Sequence, residues 1–360
     1  MTQPLAVYPL PPQLPANPYL DMLYAPMGAL GIQVRRGRPR AELPRLAFGR
    51  GPRILHLHFF DELTQRPSRG ATALRSLGFV ALLSLLRLRG VRLVWTAHNL
   101  QPHEAHQPTW AWLLYRTVAR QSAAIIAHSQ AARAQLERRY GPLPQARVIA
   151  HGNYIGCYGL PRERAASRAA LGLPPDGRVL LSLGALRPYK GLEDLLDAFE
   201  RLPAATRGTL LIAGAPKDRA YAAALARRAA AIEGARLDAR FVPDDALAGY
   251  FAAADAVALP YRQLLTSGAL LAAMSYARPV IAPAFGPAAE LVREGEQGFL
   301  FAPGDVGALA QALARAAAQP DLDALGRSAL ASARALSWDT IAQATAATYR
   351  SLTHSGARSV

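Results

Sequence analysis

Cysteine is almost absent: Cys157 is the only one in 360 residues. An intramolecular disulfide and a cysteine-based zinc site are therefore excluded. Lysine is nearly as scarce. Lys190 and Lys217 are the two lysines among 41 basic residues, and all the others are arginine. A lysine kept against that skew marks its position. Long apolar runs are missing too. The longest, near Leu77–Leu86, is shorter than the ~20 residues a bilayer crossing needs. The opening stretch MTQPLAVYPLPPQLPANPY has no basic start and is broken by prolines, so it does not read as a secretory signal. A soluble or peripheral protein of a reducing compartment is expected. Charged residues are 18% and apolar residues 51% of the chain, which excludes disorder over most of its length.

Acidic residues are scarce in the first half. Residues 1–155 hold 19 Arg or Lys against 6 Asp or Glu, a balance of +13. Residues 156–360 hold 22 against 19, a balance of +3. The first half is thus suited to an anionic partner. No helix-turn-helix, zinc finger or glycine-aromatic RNA motif is present, and the aromatics are not interleaved with the arginines. Nucleic acid is not the expected partner. Arg75-SLGFVALLSLL-Arg87-Leu-Arg89 and Trp110-Ala-Trp-Leu-Leu-Tyr-Arg116 combine apolar residues, interfacial aromatics and arginines. That combination suits an anionic membrane surface. The plainer alternative is a core helix with a basic outer edge.

Short apolar runs alternate with helical patterns, the signature of parallel α/β architecture. Strands are expected at Leu5–Tyr8, Arg53–His58, Arg92–Thr96, Ala124–Ala127 and Val148–Ala150. Helices are expected between them at Asn17–Ala29, Gly70–Arg89, Trp110–Arg120 and Gln130–Tyr140. Further strands are expected at Val179–Leu183, Thr209–Ala213, Ala239–Val242, Ala256–Leu259, Pro279–Ala282 and Gly298–Phe301. Glycines and prolines between Gly152 and Pro174 mark a break. Two doubly wound domains are expected, 1–155 and 156–337. A final segment, 338–360, would cross back to the first domain as a helix.

Ligands of doubly wound sheets bind beyond the carboxyl ends of the strands. His56, His58, His98, His103, His128 and His151 cluster at those ends, with Asp61, Glu62 and Glu104. His58, Asp61, His98, His103 and Glu104 form a candidate acid/base set. In the second half, a turn runs from Gly184 to Gly191 and holds Arg187 and Lys190 three apart. Those two cations suit adjacent phosphates. The segment Pro260–Gly268 ends in Thr266, Ser267 and Gly268 before a helix. Its amides suit an anion. One loop supplies cations and the other amides, which fits a diphosphate.

Two Rossmann-like domains flanking an interdomain cleft, with these two sites, make the GT-B glycosyltransferase plan. The second half resembles the nucleotide-sugar domain of family 4 in its Gly184–Gly191 turn, in Ala253-Ala-Asp-Ala-Val-Ala-Leu-Pro260, and in Glu290-Leu-Val with Gly298-Phe-Leu. Family 4 enzymes carry two glutamates around the donor helix; here those positions are Leu264 and Ala272. A closer resemblance runs through six motifs in order. These are Asn17-Pro-Tyr-Leu-x-x-Leu-Tyr24, His56-Leu-His58 with Asp61, His98-Asn99-Leu-x-Pro-His103-Glu104, His151-Gly-x-Tyr154, Arg187-Pro-Tyr-Lys190-Gly191, and Leu259-Pro-Tyr261-Arg with Ser267-Gly268-x-Leu-Leu and Ala277-Arg-Pro-Val280. Together they are similar to the β-mannosyltransferases of xanthan-type exopolysaccharide assembly, glycosyltransferase family 94.

That resemblance implies an inverting bacterial enzyme. It would move mannose from GDP-mannose to a sugar on a polyprenyl diphosphate, peripherally at the cytoplasmic face of the inner membrane. No metal or other cofactor is expected. Asp61 is the first candidate base and Glu104 the second, with His98 orienting the donor. Arg187, Lys190, Thr266, Ser267 and Gly268 would hold the diphosphate. His58, Asn99, His103, His151, Tyr154, Tyr261 and Glu290 would line the donor and acceptor cleft. A retaining family 4 transferase, a nucleotide-sugar epimerase and a non-catalytic membrane scaffold remain as alternatives.

Overall fold

A computed structural model describes residues 4–14, 17–102, 105–160 and 162–354. The chain divides into two compact units, Met1–Gly152 with Ser337–Val360, and Asn153–Leu336. The first unit holds a sheet of β1 (Leu5–Leu10), β2 (Ile32–Val34), β3 (Arg53–Leu57), β4 (Arg92–Thr96), β5 (Ala124–Ala127) and β6 (Ala146–Val148). Its strand order is β2-β1-β3-β4-β5-β6. The second holds β7 (Val179–Leu183), β8 (Thr209–Ala213), β9 (Ala235–Asp238), β10 (Ala256–Ala258), β11 (Val280–Pro283) and β12 (Gly298–Phe301). Its order is β12-β11-β10-β7-β8-β9. All the paired strands are parallel. These are doubly wound α/β sheets, as the alternation of elements predicts.

Strands covered on both faces read as near-continuous apolar runs. VLLSL in β7, TLLIA in β8 and AIIA in β5 are accordingly buried at every residue. The first unit's core joins Val7, Ile54, Val94 and Ile126 to Trp338, Ile341, Ala346 and Tyr349 of the last helix, Trp338–His354. In the second unit, Leu195 and Phe199 pack with Leu210, Ile212 and Leu313.

Several elements differ from expectation. The short edge strand β2 and helices Pro39–Phe48, Asp61–Thr64, Arg164–Ala170, Ala204–Arg207, Gly286–Leu291 and Leu322–Arg334 were not anticipated. Strand β9 reads ARLD, so its charges hide it, and the apolar Phe241-Val242 beyond it is loop. The helix expected over Asn17–Ala29 covers only Tyr19–Tyr24 and passes into a 3-10 turn at Ala25–Met27, where Pro26 has no amide to donate. The Leu77–Leu86 run also needs correction. It belongs to the 20-residue helix Arg69–Leu88, of mean hydropathy 1.5, which is long and apolar enough by length and composition to cross a membrane. Yet Thr72, Ser76, Phe79, Leu83 and Leu86 are buried, and the helix packs on β4 and on helix Pro108–Gln121. It serves as a layer helix of the sheet, with an apolar outer face.

A buried ion pair pins the start of the second unit. Arg168 Nη2 donates to Asp255 Oδ2 at 2.8 Å, and the same oxygen accepts from the amide of Val179 at 2.7 Å. Both side chains are about 5% exposed. Helix Arg164–Ala170 is thereby tied to the first residue of β7 by charge, which explains why apolar periodicity did not reveal it. Asp255→Ala leaves Arg168 buried and unpaired, and the expected loss is roughly 3–5 kcal/mol. Denaturant unfolding checks this; an unchanged midpoint would show that the pair is dispensable.

Candidate active site

In each sheet the strand order reverses once. Connections leave neighbouring strands in opposite directions there and open a crevice at the carboxyl edge. In the first unit the reversal lies between β1 and β3. Asn17 Oδ1 accepts from the Tyr19 amide at 3.0 Å, and Pro18 leads into helix Tyr19–Tyr24. This places Tyr19 and Tyr24 beside the histidines that end the strands. The Tyr19 ring lies 5.7, 4.7, 5.7 and 4.9 Å from the rings of His58, His98, His128 and His151.

The five described strand-end histidines are buried. Burial lowers the pKa of His56 to about 3, of His128 to about 4 and of His151 to about 3. Burial likewise holds His58 and His98 well below the ordinary value, and neighbouring imidazoles add to the effect. All five are therefore neutral near pH 7. Their hydrogen bonds assign several nitrogens. His128 Nδ1 donates to the Ile149 carbonyl at 2.9 Å and His151 Nδ1 to the Gly152 carbonyl at 2.7 Å. Each then keeps Nε2 as an acceptor. Tyr24 Oη lies 2.8 Å from both His56 Nδ1 and His58 Nε2. Tyr349 Oη is 2.6 Å from His56 Nδ1, and Thr96 Oγ1 is 2.8 Å from His56 Nε2. His58 Nδ1 meets His98 Nε2 at 3.3 Å. Phe59 stacks on His98 with centroids 4.2 Å apart. A continuous polar chain thus runs from the sheet interior to His98. Among the described residues, no three His, Cys, Asp or Glu side chains converge to hold a metal ion.

Asp61 opens the short helix Asp61–Thr64 just beyond β3. Burial raises its pKa, the Tyr115 hydroxyl that donates to its carboxylate opposes the rise, and Glu62 adds to it. Tyr115 was read only as part of an aromatic, interfacial helix; its contact with Asp61 joins residues 54 apart in sequence. Asn99 is half-buried after β4. His103 and Glu104 lie outside the described residues.

The second unit reverses between β7 and β10, where the two expected phosphate loops emerge. Arg187 is half-buried and precedes the 3-10 turn Pro188–Lys190. Lys190 is buried, and among the described residues no carboxylate pairs with it. Burial first, and Arg187 second, lower its pKa to about 8. A Cβ on Gly184 would stand 2.5 Å from Lys190 Nζ, so this glycine, at φ +121°, makes room for the ammonium. Lys190 Nζ also sits 5.5 Å from the Tyr261 ring. Arg262 of the second loop makes a two-pronged bond, at 2.8 and 2.7 Å, to Asp194 in the helix Leu192–Glu200 that follows the first loop. Arg262 follows Leu259-Pro-Tyr261 in sequence, and its role comes from a carboxylate 68 residues away.

Ser267 caps helix Gly268–Ser275, accepting from the Leu270 amide at 3.1 Å. The first amides of that helix have no intrahelical acceptor. Thr266 Oγ1 is buried without a hydrogen-bond partner among the described residues. A side chain at Gly268 would meet Tyr154 Oη at 3.1 Å, so the glycine admits that phenol. Tyr154 is buried, and its amide donates to Ser275 Oγ at 2.9 Å. Glu290 is exposed on helix Gly286–Leu291.

The depressed histidines fix a pH dependence. Between the ordinary histidine value of about 6.5 and these folded values, the unfolded chain binds more protons than the folded one. Stability is therefore present above that window and lost as pH falls through it, by about 1 kcal/mol per pH unit for each such histidine. Urea midpoints at pH values above and below about 6.5 test this; equal midpoints would show that the cluster is solvated.

The family models agree with this division. "Glycosyltransferase Family 4" matches residues 11–153, and "Glycosyl transferases group 1" matches residues 177–319. The GDP-mannose:glycolipid 4-beta-D-mannosyltransferase of Xanthomonas campestris pv. campestris is 32% identical over 300 residues, 81% of this chain and 76% of the relative. The D-inositol 3-phosphate glycosyltransferase of Mycobacterium leprae is 35% identical over 198 residues, 53% of this chain and 45% of the relative. Sucrose-phosphate synthase from Thermosynechococcus elongatus shares the fold with a TM-score of 0.74 at 20% identity, covering 98% of this chain and 100% of that one. The chain is a GT-B glycosyltransferase and belongs to the family of the Xanthomonas campestris GDP-mannose:glycolipid 4-beta-D-mannosyltransferase.

Proposed function

We propose that the chain transfers mannose from GDP-mannose, with inversion, to a sugar on a polyprenyl-diphosphate-linked oligosaccharide. The setting is bacterial exopolysaccharide assembly at the cytoplasmic face of the inner membrane. The 32%-identical relative is named for a GDP-mannose donor and a glycolipid acceptor. Lys190 is the observation that carries the donor half. A buried ammonium with no carboxylate partner among the described residues, beside Arg187 and an amide-rich helix start, is matched to a diphosphate. Thr266 Oγ1, buried and unbonded, is a further donor for a phosphate oxygen.

On this proposal the second unit anchors the donor and the first activates the acceptor. The acceptor hydroxyl oxygen attacks C1 of mannose. The bond from C1 to the phosphate oxygen breaks, and GDP leaves with its charge met by Lys190, Arg187 and the helix amides. Asp61 takes the hydroxyl proton. Its raised pKa makes the carboxylate a better base, and Tyr115 is its positioning residue. His98 keeps Nδ1 for the donor or acceptor, since Nε2 is engaged by His58. Because the chain supplies the countercharge, transfer is expected to persist in chelator. The exposed leucines of helix Arg69–Leu88 and the +13 balance of residues 1–155 support docking on an anionic membrane.

A retaining family 4 transferase is the second reading, favoured by the similarity to the D-inositol 3-phosphate enzyme. Against it, Leu264 and Ala272 are buried apolar residues where that family carries glutamates. NMR of the product anomer separates the two.

Nucleotide diphosphate release should depend on a lipid-extract acceptor and occur with GDP-mannose but not with UDP- or dTDP-sugars. Release from a UDP-sugar alone would overturn the donor assignment. Asp61→Ala should abolish turnover while GDP binding stays near wild type. Lys190→Ala should weaken GDP binding about tenfold to a hundredfold, the loss of one charge-assisted bond. GDP affinity should also fall as pH rises through about 8, where the free lysine gives up its proton. Calorimetric titration on both sides of that pH checks the sign; a rising affinity would remove Lys190 from the site.

A further inference from the structure

The mechanism leaves one cavity of the first unit unused. It measures about 250 Å³ and lies on the face of β1 and β3, between helix Pro39–Phe48 and helix Arg69–Leu88. Leu55, Leu46, Phe79 and Leu83 form its apolar interior. Leu43 and Leu63 lie at its rim, 38% and 45% exposed. Drug-sized ligands fill roughly 300–1,000 Å³, so this cavity admits a stretch of one chain rather than a whole lipid.

Its polar lining is cationic. Arg35 and Arg40 line it, and Arg35 Nε is buried with no hydrogen-bond partner among the described residues. Among the described residues, Glu42 is the one acid in the wall. Arg45 donates to one of its oxygens at 3.0 Å, and the other is buried without a bond. The balance of Arg35, Arg40 and Arg45 against Glu42 is positive. Helix Arg69–Leu88 continues outward from the cavity with Leu74, Leu77, Leu85 and Leu88 exposed. Leu63 stands two residues beyond Asp61 on the same short helix. An apolar slot, a cationic lining and a greasy outer face match one kind of ligand, a single hydrocarbon chain ending in phosphate.

We infer that this cavity binds the phosphate-proximal part of the acceptor's isoprenoid chain, with Arg35 and Arg40 meeting the diphosphate. This rests on the proposal that the acceptor is lipid-linked. It adds a chain-binding site in the first unit, separate from the donor loops of the second. A chain held there would present its head group on the side of the unit that carries Asp61. Any bilayer contact through the outer leucines would then lead into a specific slot.

Geranylgeranyl diphosphate, without donor, is the probe. The full chain should bind it saturably and much more tightly than inorganic diphosphate. Leu43→Trp, which fills the rim from a part-exposed position, should weaken that binding at least tenfold. Arg40→Glu, on the surface, should weaken it comparably. A benzophenone-bearing isoprenoid diphosphate should label residues 39–48 or 79–86 of the unmodified protein, which guards against a misfolded variant. Equal binding of inorganic diphosphate, unchanged binding in both variants, or labelling elsewhere would overturn the inference. Chain binding without GDP-mannose turnover would sink the donor proposal and leave the cavity's role standing. Acceptor-dependent transfer without chain binding would do the reverse.

Discussion

The reversal of strand order in each sheet is the constraint on which the chemistry depends. A parallel sheet buries both faces, so polar groups are tolerated mainly at its ends. Where neighbouring connections diverge, those ends are left open. In the first unit the opening lies between β1 and β3 and receives Tyr19, Tyr24, His58 and Asp61. In the second it lies between β7 and β10 and receives Lys190, Tyr261 and Ser267. The residues differ and the site follows the same rule in both units.

The two openings handle charge in opposite ways. Five neutral imidazoles form the first, bound to one another, to tyrosines and to backbone carbonyls. Such a surface donates and accepts hydrogen bonds without a net field, which suits sugar hydroxyls. The second opening keeps a cation out of water with no carboxylate paired to it among the described residues, an environment matched to an anion. Burial causes both conditions. It disfavours the charged form of histidine and lysine alike, but lysine starts from a far higher pKa and is still largely protonated near pH 7.

Much of this was legible along the chain because the signals are local. A fully apolar run bounded by glycine or proline marks a buried strand, and β7, β8 and β12 lie at the expected residues. Helix Gln130–Tyr140 also lies at the expected residues. What escaped depended on partners far away. Helix Arg164–Ala170 is secured by Asp255, and the charged edge strand β9 pairs on one side only. Tyr115, Arg262 and Tyr349 gain their roles from Asp61, Asp194 and His56, none of them near in sequence.

The sequence alone determined the architecture, the place of the two glycine-marked turns at the strand ends of the second unit, and the family. Each is written in periodicity, in glycine and proline placement, or in short ordered motifs, and local physics is enough to read them. Tertiary structure alone decided which nitrogen of each histidine is engaged, why Gly184 and Gly268 must lack side chains, and that an apolar slot opens between two helices of the first unit. These features are distances between residues that only folding brings together, and burial, which sets their charge states, exists only once they meet.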